Sequence, residues 1–551
     1  MSDPQLTQSP IAQSPAREPL VRVENLSIRL PVGGDRPFAV EDVSFTIHPG
    51  EIVCVVGESG SGKSVAASTL MGLLPQGLKI SAGRVMLAGE NLAEASPQRL
   101  QALRGRDVSM IFQEPLSALN PLYRVGDQVI ELMRAHEAYP GKAARARVLE
   151  LFGYVGLPDP ERLIDAFPFQ LSGGQRQRVV IAMALALEPK LILADEPTTA
   201  LDVTTQAQVL DLLRKVRRER GTAMLFVTHD FGVVADIADR VLVMEKGRLV
   251  EAGLVDDVLH RPQHPYTRKL LAAVPRMVAI ALPPPGEEIV LSIEKVDKSF
   301  GTKAGWFRQA RHVHAVNQAN FTVRRGETLG IIGESGSGKS TLGRSIVRLI
   351  EPDAGRILFH DQDLMAIPRG AFRSQRKHLQ MVFQDPLSSL NPRKRVRAIL
   401  TDGPVAHGAS RHEAEALASE LIALVGLEPA ALDRFPHEFS GGQRQRIGIA
   451  RALMMEPDVI VADEPVSALD VSVQAQVLEL FNALQQRLRL AMVFITHDLR
   501  VAAQLCHTIA VMQHGRIVEY GPTASVFADP QHAYTRQLFA AVPGKAFDAR
   551  R

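Results

Sequence analysis

Two identical glycine-rich octets carry the residues best suited to bind phosphate. The sequence Gly-Glu-Ser-Gly-Ser-Gly-Lys-Ser occurs at residues 57–64 and again at residues 333–340. Each copy follows an apolar run and precedes a helix-compatible segment, which is the strand, loop and helix setting of a phosphate-binding loop. Glycines let several backbone N–H groups converge on one anion, and the dipole of the following helix adds positive charge. The predicted binding residues are Gly57, Ser59, Gly60, Ser61, Gly62, Lys63 and Ser64, and their counterparts Gly333, Ser335, Gly336, Ser337, Gly338, Lys339 and Ser340.

The last two residues of each octet have separate tasks. Lys63 and Lys339 can reach the terminal phosphates of a nucleotide as point charges, whereas the Ser64 and Ser340 hydroxyls are placed to ligate the accompanying Mg²⁺. The octets predict an adenine or guanine nucleotide without deciding between the two bases.

Paired carboxylates end two further apolar runs. Asp195 and Glu196 follow residues 191–194, and Asp463 and Glu464 follow residues 459–462. Ligands of parallel sheets bind beyond the carboxyl ends of the strands, so these acids are expected beside the phosphate loops. Successive strand residues face opposite ways. We predict that each aspartate holds Mg²⁺ or a water bound to it, and that each glutamate orients and deprotonates an attacking water.

A serine followed by two glycines and a glutamine precedes an alanine-rich segment twice. The residues are Ser172, Gly173, Gly174 and Gln175, and then Ser440, Gly441, Gly442 and Gln443. A serine N-cap followed by glycines exposes N–H groups at a helix start, which predicts a second pair of anion sites.

The order of these motifs shows that the chain is a tandem duplication. Matching positions are 276 residues apart at the phosphate loops and 268 apart from Ser172 onward. The chain has 551 residues, which is more than one core usually serves. We predict an α/β fold of two tandem P-loop NTPase domains, each built on a mostly parallel sheet. The predicted ranges are a disordered tail at 1–19, a first nucleotide-binding domain at 20–275, a proline-rich linker at 276–288, a second domain at 289–543 and a C-terminal tail at 544–551.

Bulk composition excludes several classes of protein. The 63 basic and 60 acidic residues leave a net charge of +3, so no overall field favours nucleic acid or an anionic membrane. Two cysteines cannot build a disulfide framework, and a reducing cytoplasm is the default. No apolar run approaches the roughly 18 residues of a spanning helix. If the protein works at a membrane, a partner must hold it there.

The motifs in this order resemble the ATP-binding cassette family. The resemblance adds Gln113 and Gln384 of the glutamine loops, and the switch histidines His229 and His497. It implies ATP and Mg²⁺ as ligands, and an antiparallel β subdomain and a helical subdomain beside each parallel sheet. It also implies that cassettes pair head to tail, so that each ATP lies between the phosphate loop of one and the Ser-Gly-Gly-Gln signature of the other. One chain could supply both partners.

The same resemblance suggests roles for the added residues. Gln113 and Gln384 would contact the magnesium and the nucleophilic water and report to a membrane subunit. His229 and His497 would hydrogen-bond the γ-phosphate. Phe300 is the better candidate to stack on adenine in the second half, and Phe38 is a weaker one in the first.

Finer features resemble the branch that imports dipeptides, oligopeptides, glutathione and nickel, and above all its fused microcin C-type importers. These features are residues 112–121 and 383–392, and the segments His264–Arg268 and His532–Arg536. The branch implies two transmembrane permeases, an extracytoplasmic solute-binding protein, no nucleic acid, and a peripheral place on the cytoplasmic face of the bacterial inner membrane. The alternative is a tandem-cassette translation factor acting on ribosomes. Such factors usually have a long charged linker, whereas this connector is short and proline-rich.

Overall fold

The structure is a computed structural model that describes residues 18–31, 36–199, 201–279, 284–302, 311–385, 389–467 and 469–550. Its contacts divide the chain into two compact units. The first holds the described residues up to Pro197, with Asp211–Thr228 and Ile237–Val258. The second holds Thr198–Leu210, His229–Asp236 and the described residues from Leu259 onward. This division does not follow the predicted linker at 276–288, of which 280–283 lie outside the described residues. The domain boundaries therefore stay a prediction.

The first unit contains the two kinds of sheet that were predicted. A four-stranded antiparallel sheet has the order β2-β1-β4-β5, and a six-stranded sheet has the order β10-β9-β3-β8-β7-β6. In the second sheet only β9 and β10 pair antiparallel. The strands are β1 (Val21–Arg29), β2 (Phe38–Ile47), β3 (Ile52–Val56), β4 (Lys79–Leu87), β5 (Glu90–Asn91), β6 (Val108–Ile111), β7 (Leu191–Asp195), β8 (Ala223–Val227), β9 (Arg240–Glu245) and β10 (Arg248–Leu254).

The strand that leads into the first phosphate loop lies at the centre of its sheet. All five residues of β3 are buried, as expected of a parallel strand covered on both faces. Val53 and Val55 pack in one core with Leu26 of the antiparallel sheet. The following loop is thereby fixed to the rigid middle of the unit.

The first half of the chain also contains eleven helices among its described residues. Five of them, α3 to α7, lie between β6 and β7 in the sequence and form the expected helical subdomain. The helices are α1 (Lys63–Thr69), α2 (Pro97–Leu103), α3 (Pro115–Ala118), α4 (Val125–Ala135), α5 (Lys142–Tyr154), α6 (Pro160–Leu163), α7 (Gly173–Ala184), α8 (Val203–Arg220), α9 (Phe231–Ile237), α10 (Val255–His260) and α11 (Pro265–Ala273).

The second unit repeats this topology. Its antiparallel sheet has the order β12-β11-β14-β15, and its mostly parallel sheet has the order β16-β17-β18-β13-β19-β20. The strands are β11 (Ile289–Thr302), β12 (Arg311–Arg324), β13 (Thr328–Ile332), β14 (Ala354–Phe359), β15 (Gln362–Asp363), β16 (Leu379–Val382), β17 (Val459–Asp463), β18 (Ala491–Thr496), β19 (Thr508–Gln513) and β20 (Arg516–Pro522). The helices are α12 (Lys339–Ile346), α13 (Val396–Ala406), α14 (Arg411–Leu424), α15 (Gly441–Leu453), α16 (Val471–Leu488), α17 (Leu499–Leu505), α18 (Thr523–Ala528), α19 (Ala533–Ala540) and α20 (Lys545–Ala549).

The two predicted tails have different outcomes. Residues 1–17 of the N-terminal tail lie outside the described part of the chain. The segment predicted as a C-terminal tail at 544–551 instead contains helix α20. Phe547 in this helix is buried, and Asp548 pairs with Arg500 at 2.8 Å. An apolar contact and an ion pair therefore hold this end of the chain against the second unit.

None of the helices in the described ranges is both long and apolar enough to cross a membrane.

Candidate nucleotide sites

The lysine of each phosphate loop is folded back over its own loop. Lys63 Nζ donates to the carbonyl oxygens of Gly57 at 2.8 Å and Glu58 at 2.9 Å. Lys339 Nζ makes the same two bonds, at 2.8 Å each, to Gly333 and Glu334. Both lysines are buried, and burial lowers the pKa of Lys339. Each loop thus holds the ammonium group of its lysine against its own backbone carbonyl oxygens.

Glycine is required where each loop enters its helix. Gly62 and Gly338 occupy the N-caps of α1 and α12 with φ of 99° and 104°, in the left-handed region. A Cβ on Gly62 would lie 2.5 Å from the Ala39 carbonyl oxygen, and one on Gly338 would collide with the Ala315 carbonyl. No side chain caps either helix start. The backbone N–H groups at the starts of α1 and α12 can therefore bind an anion.

Each loop also buries a hydroxyl without a partner among the described residues. The Oγ atoms of Ser61 and Ser337 are out of contact with solvent and make no hydrogen bond. Buried polar groups are normally paired. These orphaned atoms, together with the open helix starts, fit loops built to receive a phosphate group.

The second serine of each loop meets the aspartate at the end of the neighbouring strand. Ser64 Oγ donates to Asp195 at 2.9 Å, and Ser340 Oγ donates to Asp463 at 2.8 Å. Burial raises the pKa of both aspartates. The described residues contain no group of three or more His, Cys, Asp or Glu placed to hold a metal ion. Mg²⁺ is typically bound by one or two carboxylates plus substrate phosphates, so a hydroxyl and a carboxylate in contact fit it.

The predicted base and the glutamine-loop residue also come together in each half. Gln113 Nε2 donates to Glu196 at 2.9 Å, and Gln384 Nε2 donates to Glu464 at 2.9 Å. Glu196 and Glu464 have φ of 46° and 45°. This left-handed conformation costs about 1–2 kcal/mol for a residue with a Cβ. Each glutamate therefore lies just beyond its strand, which ends at the preceding aspartate.

The predicted switch histidine of the second half contacts the predicted base. His497 Nδ1 lies 3.3 Å from Glu464, in the bend between β18 and α17. Burial opposes the charge of Glu464, but the hydrogen bond and charge of His497 outweigh it, and the net pKa of Glu464 is lowered. Burial likewise opposes the charge of His497, yet the bond to Glu464 leaves its pKa raised. The imidazolium and the carboxylate thus stabilise each other's charged form.

We expect E464Q to lower the pKa of His497, because it removes the carboxylate that stabilises the imidazolium. In the unchanged protein the ion pair is complete above the lowered Glu464 pKa. The pair is lost as pH rises through the raised His497 pKa, because the imidazole then loses its charge. The stabilisation is therefore present between the lowered pKa of Glu464 and the raised pKa of His497. Histidine NMR titration, with the resonance assigned through H497Q, measures the shift. E420Q, at an exposed glutamate of α14, is the matched control. An unchanged His497 pKa in E464Q would show that the pair contributes nothing.

His229 lies in the corresponding bend between β8 and α9 and belongs to the second unit, whereas Glu196 belongs to the first. Its predicted role at the γ-phosphate stays a prediction.

The two signatures begin helices α7 and α15 with the same capping box. Gln175 N donates to Ser172 Oγ at 3.2 Å, while Ser172 N donates back to Gln175 Oε1 at 3.0 Å. Likewise, Gln443 N donates to Ser440 Oγ at 3.3 Å, and Ser440 N donates back to Gln443 Oε1 at 3.0 Å. The sequence predicted both glutamines as nucleotide contacts, but their amide oxygens are engaged in capping. Gly173, Gly174, Gly441 and Gly442 lie in the first helical turns, as predicted.

The two candidate aromatic residues differ in exposure. Phe300 in β11 is 46% exposed, with Lys298 Nζ 5.6 Å from its ring centre. Phe38 in β2 is partly buried and has Arg29 over its ring at 5.5 Å. An exposed ring can accept a base, so Phe300 stays the better candidate for stacking.

Sequence reasoning missed one contact to the second phosphate loop. The backbone N–H of Glu334 donates to the Tyr534 hydroxyl at 3.0 Å. The Tyr-Thr-Arg segment that occurs in both halves, at residues 266–268 and 534–536, is the signal in the sequence that marks this tyrosine.

Two families match this chain. Residues 40–199 and 316–467 match the family described as ABC transporter. Residues 250–296 and 518–550 match the family described as oligopeptide/dipeptide transporter, C-terminal region. The second match covers the Tyr-Thr-Arg segment of each half.

Several curated proteins are similar over nearly the whole chain. The peptidoglycan transport ATP-binding protein YejF of Agrobacterium fabrum is 48% identical over 531 residues, covering 95% of this chain and 96% of that protein. The glutathione import ATP-binding protein GsiA of Pectobacterium atrosepticum is 44% identical over 562 residues, covering 95% and 89%. Among solved structures, the dimeric ATP-binding cassette MJ0796 bound to ADP and Pi is 30% identical, with a TM-score of 0.39, covering 43% of this chain and 98% of that one. On the two cassette matches and this whole-length similarity, the chain belongs to the ABC transporter family and is one of its ATPases, with two cassettes in one polypeptide.

Proposed function

We propose that the chain is the ATP-hydrolysing subunit of a peptide importer, with two ATP sites that drive uptake through partner permeases. The observation that carries the proposal is the same pair of contacts beside each phosphate loop: serine to aspartate, and glutamine to glutamate. A phosphate loop alone binds a nucleotide. A loop with a carboxylate for the metal and a second one for water can hydrolyse it.

Each side chain has a defined task in this proposal. The backbone N–H groups of the loops and Lys63 or Lys339 bind the β- and γ-phosphates. Ser64 with Asp195, and Ser340 with Asp463, would hold Mg²⁺, which when bound neutralises charge on the phosphates. Glu196 and Glu464 accept the proton of the attacking water, and Gln113 and Gln384 hold those carboxylates in place. His497 donates to Glu464 here and would turn to the γ-phosphate when ATP is bound.

We further propose that each ATP is completed by the opposite half of the chain. Lys63 and Ser64 would share a nucleotide with Ser440 and Gly442, and Lys339 and Ser340 with Ser172 and Gly174. The support is the duplicated sequence together with the pairing of cassettes in this family. ATP would close the halves on each other, and hydrolysis would let them part.

The proposed cargo is a peptide of the dipeptide, oligopeptide or microcin C-like class. The similar proteins are named for peptidoglycan transport and for glutathione import. The matching C-terminal region is described for oligopeptide and dipeptide transporters. The comparisons give no support to a translation factor acting on ribosomes.

We place the protein at the cytoplasmic face of the bacterial inner membrane, held by two permeases and served by an extracytoplasmic solute-binding protein. Exposed apolar side chains follow Gln113 in the first unit: Leu116, Leu122 and Tyr123 are 55%, 81% and 56% exposed. Clustered exposed apolar residues mark interaction surfaces. Their position next to the glutamine loop would let a bound permease sense the state of the site.

Reconstitution with the permeases tests this proposal. In lipid nanodiscs that contain the chain, its permeases and the solute-binding protein, we expect short peptides to raise ATP turnover. Omitting the solute-binding protein, or adding free amino acids instead of peptides, supplies the control. Co-sedimentation with ribosomes, together with turnover that ignores every peptide, would contradict the assignment to import.

A further inference from the structure

A tyrosine from the end of the chain contacts the second phosphate loop. Glu334 is the second residue of that loop, and its N–H donates to Tyr534 Oη at 3.0 Å. Tyr534 lies in α19, 200 residues further along the chain, and is 5% exposed. The tyrosine side chain is therefore largely shielded from water, and losing its hydroxyl would leave the part-buried N–H of Glu334 without this partner.

The start of α19 is itself held in place. Tyr534 N donates to His532 Nδ1 at 3.2 Å, so the histidine caps the helix. Glu519 of β20 accepts from the N–H groups of Gln531 at 2.8 Å and His532 at 3.0 Å. Leu538 is buried in the core on the same helix. These contacts fix the position of the Tyr534 ring independently of the loop.

The same C-terminal segment is anchored beside the switch histidine. The Pro543 carbonyl accepts from Arg500 Nη2, and Asp548 pairs with Arg500 at 2.8 Å. Arg500 and Asp548 are each 8% exposed. Arg500 is in the first turn of α17, which begins two residues after His497. The segment 534–548 thus contacts the phosphate loop through Tyr534, and contacts the helix after His497 through Pro543 and Asp548.

The chemistry of the phenol suits a site that receives an anion. Burial raises the pKa of Tyr534 to about 12, so the group stays neutral in the physiological range. A carboxylate could accept the same N–H bond, but its charge would repel the phosphates. A neutral oxygen fixes the amide without that cost.

We infer that Tyr534 is a positioning residue for ATP at the second phosphate loop, because its hydroxyl fixes the Glu334 amide and with it the loop that receives the phosphates. The inference rests on the proposed function, in which residues 333–340 bind ATP.

The test uses full-length protein with K63A and E464Q, so that the first loop is impaired and the second binds without hydrolysing. The probe is a ribose-labelled fluorescent ATP analogue. We expect Y534F to raise its dissociation constant about three- to tenfold, the size of one hydrogen bond. Y520F is the matched control, because Tyr520 is half-exposed and its hydroxyl lies 3.5 Å from the Thr322 carbonyl. In protein that keeps Lys63 and Glu464, Y534F should raise KM for ATP more than it lowers kcat.

The outcomes separate this inference from the proposed function. If K63A/E464Q protein binds no analogue, the assignment of the second loop fails, and the inference fails with it. If that protein binds the analogue and Y534F leaves the dissociation constant unchanged, only the role of Tyr534 is overturned. A lower unfolding temperature in Y534F with unchanged nucleotide affinity would likewise assign the tyrosine to packing alone.

Discussion

Replacing Glu196 and Glu464 together with glutamine is expected to lower ATP turnover by about 10²–10⁴-fold while ATP remains bound. Glutamine keeps the shape of the side chain and can still bond to Gln113 or Gln384, but it cannot accept the proton of water. The phosphate loops, the lysines and the serine–aspartate pairs are untouched. Steady-state phosphate release measures the loss of turnover, and filter retention of radiolabelled ATP measures binding.

The matched control is E131Q/E420Q, which makes the same change at exposed glutamates of α4 and α14. Its turnover should equal that of the unchanged protein. Ordinary turnover in E196Q/E464Q would remove these glutamates from the chemistry. Loss of ATP binding in E196Q/E464Q would show that the two glutamates are needed to bind ATP and not only to hydrolyse it.

Much of each site could be predicted from sequence because its parts are local. An octet with glycines at fixed positions favours a phosphate-binding turn, and the apolar runs 52–56 and 191–194 favour the buried strands that the structure shows. Parallel strands bring their carboxyl ends to one edge of the sheet, which explains why Ser64 meets Asp195 as expected. Because the chain is a duplication, the same contact occurs again in the second half, between Ser340 and Asp463.

Features that depend on tertiary contacts could not be predicted in this way. The left-handed φ of Glu196 and Glu464 has no sequence marker, because such a conformation usually favours glycine or asparagine. The contact between Tyr534 and Glu334 joins residues 200 positions apart. Helix α20 was predicted as a tail because eight terminal residues offer little pattern, whereas the burial of Phe547 and the pairing of Asp548 with Arg500 help to order them.

An aspartate in either signature is expected to disable the ATP site of the opposite half of the chain. Gly173 and Gly441 each have room for a Cβ atom, and therefore suit a change to aspartate, since a Cβ on Gly173 meets nothing within 4 Å and one on Gly441 lies 3.7 Å from Leu469. An acidic residue in the first turn is favourable to the helix dipole, so α7 and α15 should remain folded. The added carboxylate would repel a phosphate approaching the signature. Each substitution therefore disables one signature selectively.

Combining K63A with one or the other of these changes gives two variants with equal numbers of substitutions. If the first phosphate loop works with the second signature, K63A/G441D damages one site twice and leaves the other intact. K63A/G173D then damages both sites. The background is E196Q/E464Q, so that bound ATP is not consumed.

The decisive measurement is the number of ATP molecules retained per chain after rapid gel filtration in that background. If each nucleotide is shared by opposite halves, the background alone should retain two ATP molecules per chain, K63A/G441D should retain one, and K63A/G173D should retain none. One ATP retained by K63A/G173D and none by K63A/G441D would mean that each half encloses its own nucleotide, and would contradict the account.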